Sequence, residues 1–246
     1  MSSEKIALVT GANKGIGFET ARQLAEKGVK VYMGARDKGR GEAAASTLKS
    51  QGLDVEFMWL DMTKRPLFHA AKTLLETQHG RLDILVNNAA IQIEDPTWSK
   101  NTTTTVSPHV LQETFDVNFF GLVELTNILL PLITKSKAGR IVNLTSILGS
   151  LALHDNPSSP IYSTKTFAYN ASKAALNMYT IHLAYTLKDT PIRVNSAHPG
   201  WVKTDMGTDA APMSVTDGAK TTVDLALAGE DSPHGRYIHL GKELPW

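Results

Sequence analysis

The sequence predicts an α/β fold: one doubly wound domain, a seven-stranded parallel sheet with helices on both faces. Three observations carry that expectation. Short apolar runs alternate with longer stretches of helical spacing from end to end. The runs are near-continuous in Val, Ile and Leu rather than alternating, which marks strands covered on both faces. The pattern keeps its character over all 246 residues, so 1–246 reads as a single domain.

The elements follow in order. IALVT (6–10) is the first strand, and GFETARQLAEKG (17–28) is a helix closing on Gly28. Glycine suits a helix end because it takes the left-handed backbone without steric cost. VKVYMGA (29–35) is the second strand, followed by a helix through GEAAASTLKSQG (41–52). DVEFMWLD (54–61) and RLDILVNN (81–88) are strands with a helix between them. A helical region covers about 109–136. RIVNLTS (140–146), IRVNSAHPG (192–200) and RYIHLG (236–241) complete the seven strands. AYNASKAALNMYTIHLAYTL (168–187) has no proline or glycine over twenty residues and reads as one continuous helix.

Three stretches break the regularity: 91–108 with its threonine run, 148–167 rich in Ser and Pro, and 205–218 rich in small residues. All three follow strand ends, where an open α/β sheet binds its ligands. Ser214 with Asp217 has the spacing of a capping box, so a helix is expected to restart there after a mobile 205–213 loop.

Composition narrows the function. Hydrophobic residues make up 42% and charged residues 20%, and the net charge of +1 offers no broad field to nucleic acid or an anionic membrane. The absence of cysteine excludes disulfides, thiolate metal sites and a cysteine nucleophile. No secretory leader and no membrane-spanning run are expected, which points to a soluble, cytoplasmic protein. The eight histidines show no ligand spacing paired with carboxylates, so no metal is expected.

VTGANKGIGFETA (9–21) places Gly11, Gly15 and Gly17 between the first strand and the first helix. Glycines here let backbone N–H groups approach phosphate oxygens, and the helix start adds unpaired donors. This T-G-x-x-x-G-x-G turn resembles that of the short-chain dehydrogenase/reductase family, a Rossmann-type fold. The resemblance continues in family order through NNAA (87–90), NLTS (143–146), YNASK (169–173) and HPGWVKT (198–204). The fourth position of NNAA is Ala90 where the family usually has glycine.

The resemblance implies a nicotinamide cofactor and a small-molecule carbonyl substrate. Gly11, Asn13, Lys14, Gly15, Ile16 and Gly17 are expected around the pyrophosphate. Asp61 and Met62 are expected at the adenine, with Asn88 and Ala89 along the cofactor backbone. Pro199, Gly200, Val202 and Thr204 are expected at the nicotinamide carboxamide. Ala35 stands where NAD-binding members carry an acid, and Arg36 follows it. Arg36 with Lys14 resembles the NADP(H)-preferring, carbonyl-reductase-like branch, since a cationic fork suits a 2′-phosphate. Asp37 leaves two readings open: a ribose ligand, or a cap of the next helix.

Two Tyr/Lys pairs compete for the chemistry. Tyr169 and Lys173 lie four apart on one helix and project together, whereas Tyr162 and Lys165 follow two prolines and have no fixed relation. The resemblance makes Tyr169 the general acid/base, and Lys173 the cation that lowers its pKa and binds the nicotinamide ribose. It makes Ser146 the carbonyl-polarising donor and Asn118 the holder of a water linking Lys173 to solvent. Ile147, Leu153, Tyr162, Trp201 and Met206 are the candidate substrate wall. Two alternatives remain at this point: a non-catalytic NADP(H)-binding redox sensor, and an NAD-dependent alcohol dehydrogenase of the same family. Relatives form homodimers or homotetramers, and some with larger insertions before the tyrosine stay monomeric.

Overall fold

The first strand, β1 (Ile6–Thr10), is buried along its whole length. In the computed structural model, which describes residues 4–95 and 102–246, it lies inside an eight-stranded sheet of order β3-β2-β1-β4-β5-β6-β7-β8. The other strands are β2 (Lys30–Ala35), β3 (Val55–Trp59), β4 (Ile84–Asn87), β5 (Arg140–Leu144), β6 (Arg193–Ala197), β7 (Tyr237–His239) and β8 (Lys242–Glu243). The pairings from β3 to β7 are parallel. β8 is an eighth, antiparallel strand that the sequence reading misses. Its two residues are exposed, so it carries no apolar run to betray it.

Side chains alternate between two cores, as a period of two demands. Ile6 and Leu8 enter one core with Phe68, Leu75, Leu125 and Leu129. Ala7 and Val9 enter the other with Leu24, Met33, Leu48 and Val223. The first layer is covered by α3 (Arg65–His79), α5 (Gly121–Ile133) and α7 (Phe167–Thr186), and the second by α1 (Gly15–Glu26), α2 (Lys38–Lys49) and α8 (Val215–Leu227). Gly28 has φ +76° just beyond α1, as its helix-end reading requires.

The long helical region is continuous but not uniform. α4 (Pro108–Phe115) runs through a widened π turn, Asp116–Phe120, into α5. The combined Pro108–Ile133 run is 26 residues long and, by composition, apolar enough to cross a membrane, against the sequence expectation. Half of its most apolar window is buried in the fold. Leu122, Leu125, Leu129 and Leu132 face the sheet, so its hydropathy is that of a core helix.

A buried polar chain crosses the sheet. Asn87 donates to Asn143, Asn143 donates to Thr180, and Ser196 donates to Thr180, each at 2.9 Å. The 148–167 stretch is not a plain loop. It contains most of a 3-10 turn (Ile147–Gly149) and the short α6 (Leu151–Asp155). Ser150 donates to the Pro245 carbonyl at 2.7 Å, Ala152 donates to the Trp246 carbonyl at 2.9 Å, and Trp246 stacks on Tyr237. Part of the predicted 91–108 loop, residues 96–101, lies outside the described residues.

Candidate active site

The C-terminal ends of β1, β2, β4, β5 and β6 open into a cleft of about 880 Å³. The chain leaves β1 in opposite directions toward β2 and β4, and a parallel sheet is expected to bind its ligand at such a switch point.

One end of the cleft is the glycine turn. Gly11 and Gly15 have φ +65° and +57°. A Cβ on Gly17 would lie 2.4 Å from the Gly11 carbonyl oxygen. Only glycine fits that closeness, and it brings backbone amides to the cleft floor. α1 begins here with no side-chain cap and no acidic residue in its first turn. Its amides and positive end therefore suit a phosphate. Asn13, Lys14 and Ile16 line the same wall.

The turn is tied to β4 through Thr10. The Thr10 hydroxyl accepts the amides of Asn88 and Ala89 at 3.0 and 2.9 Å. The Asn88 side chain donates to the carbonyls of Thr10 and Gly11 at 2.7 and 3.1 Å. Both Asn88 and Ala89 line the cleft, but the Asn88 amide shapes the glycine turn rather than standing free. Ala90 replaces glycine without strain, since the positive-φ non-glycine residues among those described are Thr208 and Leu240.

At the next wall, Arg36 is exposed and its carbonyl accepts from the Trp59 indole at 3.1 Å. Asp37 caps α2, accepting the Arg40 amide at 2.9 Å and pairing with the Arg40 guanidinium at 3.2 Å. The carboxylate thus serves the helix start, the second of its two readings, and Arg36 lines the cleft. Asp61 and Met62 line the cleft beside it, and Asp61 accepts the Thr63 amide and hydroxyl at 3.0 and 2.8 Å. Lys14 is ion-paired with Asp205, a residue the sequence reading does not single out.

On the far side lie Pro199, Gly200, Val202 and Thr204. Gly200 has φ +90°, and a Cβ there would strike the Met213 sulfur. The following loop is braced rather than free. Trp201 donates to the Gly207 carbonyl at 2.7 Å, the Thr204 hydroxyl accepts the Gly207 amide at 3.1 Å, and Met213 pairs with Trp201 and Lys203 through the backbone. The Ser214 hydroxyl accepts the Asp217 amide at 3.0 Å at the start of α8, as the cap spacing predicts.

Ser146, Tyr169 and Lys173 meet at the floor. Tyr169 and Lys173 are one turn apart on α7, with the Lys173 ammonium 5.6 Å from the tyrosine ring centre. The Ser146 hydroxyl accepts the Leu148 amide at 3.2 Å and lies near enough to the Tyr169 phenol to favour its ionised form. The neighbouring Thr145 turns instead to the Lys173 carbonyl, at 3.5 Å. Burial pushes the Tyr169 phenol up to about 12, against the lowering effect of Ser146. Burial likewise pulls the Lys173 ammonium down to about 8. The expected lowering of the tyrosine pKa by Lys173 is therefore not seen. Lys173 donates to the Leu144 carbonyl at 2.9 Å, and burial is the largest influence on both groups.

Asn118 sits on the π turn beside the cleft, not in its lining. Its side chain accepts the Ile91 amide at 2.8 Å and donates to the Ile91 carbonyl and the Ser172 hydroxyl at 2.9 and 3.1 Å. Of the five candidate substrate-wall residues, Trp201 and Met206 line the cleft; Ile147, Leu153 and Tyr162 do not. Tyr162 lies under Lys165, 4.9 Å from its ring centre, and Lys165 donates to the His154 carbonyl at 3.0 Å. Leu148, Gln92 and Ile93 complete that wall, none of them predicted.

A glycine turn at the switch point and a Tyr–Lys turn facing it define a nicotinamide-dependent oxidoreductase site. The profile of the short chain dehydrogenase family matches residues 5–214, and the chain belongs to that family, in its carbonyl-reductase-like branch. NADPH carbonyl reductase 1 of Mus musculus is 33% identical over 286 aligned positions, covering 100% of this chain and 99% of the relative. The (+)-neomenthol dehydrogenase of Capsicum annuum is 31% identical, covering 97% of this chain and 96% of its own. Among solved structures, NADPH-bound carbonyl reductase from chicken fatty liver superposes with TM-score 0.85 at 26% identity, covering 99% of both chains. Salutaridine reductase of Papaver somniferum superposes with TM-score 0.79 at 29% identity, covering 95% of this chain and 99% of that one.

Proposed function

We propose that this protein reduces a ketone or aldehyde to the alcohol with NADPH, residues 1–246 acting as one domain. The observation that carries the reading is the Ser146–Tyr169–Lys173 group on the floor of the glycine-turn cleft, its tyrosine and lysine buried. When bound, the nicotinamide supplies the hydride, which no side chain can. Ser146 donates to the carbonyl oxygen and stabilises charge developing there. Tyr169 gives that oxygen its proton, and a phenol kept protonated by burial suits an acid. Lys173 holds the ribose, and Asn118 fixes the Ile91 backbone against α7. Arg36 and Lys14 hold the 2′-phosphate, and the helix-capping role of Asp37 supports NADP(H) over NAD.

Leu148, Ile93, Trp201 and Met206 form an apolar wall with few polar groups, which suits a carbonyl bearing an aryl or alkyl group. Exposed Phe120, Met178 and Tyr185 support assembly as a homodimer or homotetramer. A cytoplasmic setting is proposed because a cysteine-free chain needs no oxidising compartment.

The test follows NADPH consumption against a panel of aryl and alkyl ketones, aldehydes and quinones, with NADH in parallel. Carbonyl-dependent oxidation of NADPH, faster than of NADH, is the expected result. Tight NADPH binding with no turnover on any carbonyl would instead favour a redox sensor.

A further inference from the structure

α7 carries both Tyr169 and Lys173, yet its own N-cap does not cap it. Thr166 makes no side-chain bond to the helix backbone; its hydroxyl donates to the Asn170 side chain at 2.9 Å. The cap comes from the loop after β4. Glu94 is 8% exposed, and its two carboxylate oxygens accept the amides of Ala168 and Tyr169, each at 2.9 Å. The second of these amides belongs to the candidate acid itself. Its carbonyl is held as well, by the Ser172 hydroxyl at 2.7 Å, and that hydroxyl accepts from Asn118. Tyr169 is thus clamped at both ends of its backbone by residues that also hold the 91–94 segment. Ile93, next to Glu94, lines the cleft.

We propose that Glu94 is a positioning residue for Tyr169: it fixes the tyrosine backbone and, as a negative charge on the positive end of α7, keeps the phenol protonated. The role rests on Tyr169 being the acid of the proposed reduction. The first-turn amides of a helix favour an anion nearby, and a phenolate at the third helical position would gain from them. A carboxylate already seated on those amides removes that gain. The other groups near Tyr169 are Lys173 on its own helix, Tyr237 on β7 and Ser146 at the end of β5, with Glu113 lining the same cleft. Of these Glu94 alone bonds the tyrosine's own amide.

Two variants separate charge from reach. Glu94→Gln removes the charge at nearly constant size, and turns an amide donor toward one of the two backbone donors. Glu94→Asp keeps the charge but is one methylene short. The first readout needs no turnover: tyrosinate absorbance titrated in the protein alone, with the matching Tyr169→Phe variant subtracted. Glu94→Gln should move the Tyr169 transition down by roughly half to one pH unit, and Glu94→Asp should leave it nearly in place. The second readout is steady-state kinetics. Both variants should lose about tenfold in kcat with the NADPH Kd unchanged, the size expected when a helix cap is lost at the reacting turn.

A titration and kcat that match the parent in both variants would overturn the proposal. So would a loss of kcat accounted for wholly by a smaller folded fraction in thermal melts. If Glu94→Gln does not fold, Glu94→Asp decides: lowered kcat at unchanged Kd supports the role, and parental kcat removes it. Should the parent protein turn over no carbonyl at all, the reduction reading fails, and the titration still decides the electrostatic part.

Discussion

Asp205 grips the Lys14 ammonium across the mouth of the cleft, joining the glycine turn to the loop after Thr204. The same lysine is the proposed partner of the 2′-phosphate, so carboxylate and phosphate compete for it. Both side chains are exposed, at 62% and 79%, and an exposed pair is weak and easily exchanged. Asp205→Asn should therefore tighten NADPH binding about twofold to fivefold at low salt and leave NADH binding unchanged. Fluorescence titration of both cofactors checks this, and equal effects on the two would remove Lys14 from the phosphate site.

Arg36 is the other proposed partner of the 2′-phosphate, and it lines the cleft while the cap of α2 pairs with Arg40. Its carbonyl is anchored by the Trp59 indole, so the residue that replaces it inherits the same backbone position. Arg36→Asp should cut the NADPH-over-NADH preference in kcat/KM by about tenfold to a hundredfold, a charge-assisted fork being lost and a repulsion gained. An unchanged preference would return Asp37 to consideration, despite its bonds to Arg40.

Tyr169→Phe should leave the NADPH Kd nearly intact and lower kcat by about a hundredfold to ten-thousandfold, the range of a lost general acid. Tyr162→Phe should change kcat less than about twofold, because Tyr162 packs under Lys165 outside the cleft. The two variants measured side by side separate the competing Tyr/Lys pairs, and the reverse ranking would sink the assignment.

Legibility in the sequence follows the range of the interaction. The glycine turn, the Tyr169–Lys173 spacing and the helix end at Gly28 are local patterns, and local patterns survive in one dimension. The strand runs were readable because both faces of β1, β2, β4 and β5 are buried. Glu94 was not readable. It lies 75 residues from the amide it accepts, in a polar loop where a glutamate signals nothing. Asp205 meets Lys14 across 191 residues, and the Asn87–Asn143–Thr180–Ser196 chain joins three strands and a helix. The effect of burial on Tyr169 was hidden for a similar reason. Spacing puts a lysine beside a tyrosine, but only the packed fold shows that burial dominates both.

His198 links two parts of the site that must keep register. It immediately precedes the Pro199–Gly200 turn, and its Nδ1 accepts the Ile147 amide at 3.2 Å, one residue beyond Ser146. An accepting Nδ1 requires the neutral ring. Burial pulls His198 down to about 3, and the adjacent His239 adds to the effect. Unfolded, the same histidine titrates near 6.5. The unfolded state therefore binds the extra proton first as pH falls. Stability is complete above about 6.5 and declines toward 3, at up to about 1.4 kcal/mol per pH unit from this group alone. His79, His154 and His234 are also lowered by burial and contribute to the parent slope. His198→Asn offers a carbonyl acceptor to the Ile147 amide without a titrating ring. Urea unfolding at pH 7, 6 and 5 should show a shallower loss of stability in the variant than in the parent. Parallel slopes would mean that His198 does not stay neutral in the fold, and the coupling of Ser146 to the Pro199–Gly200 turn through its ring would fall with it.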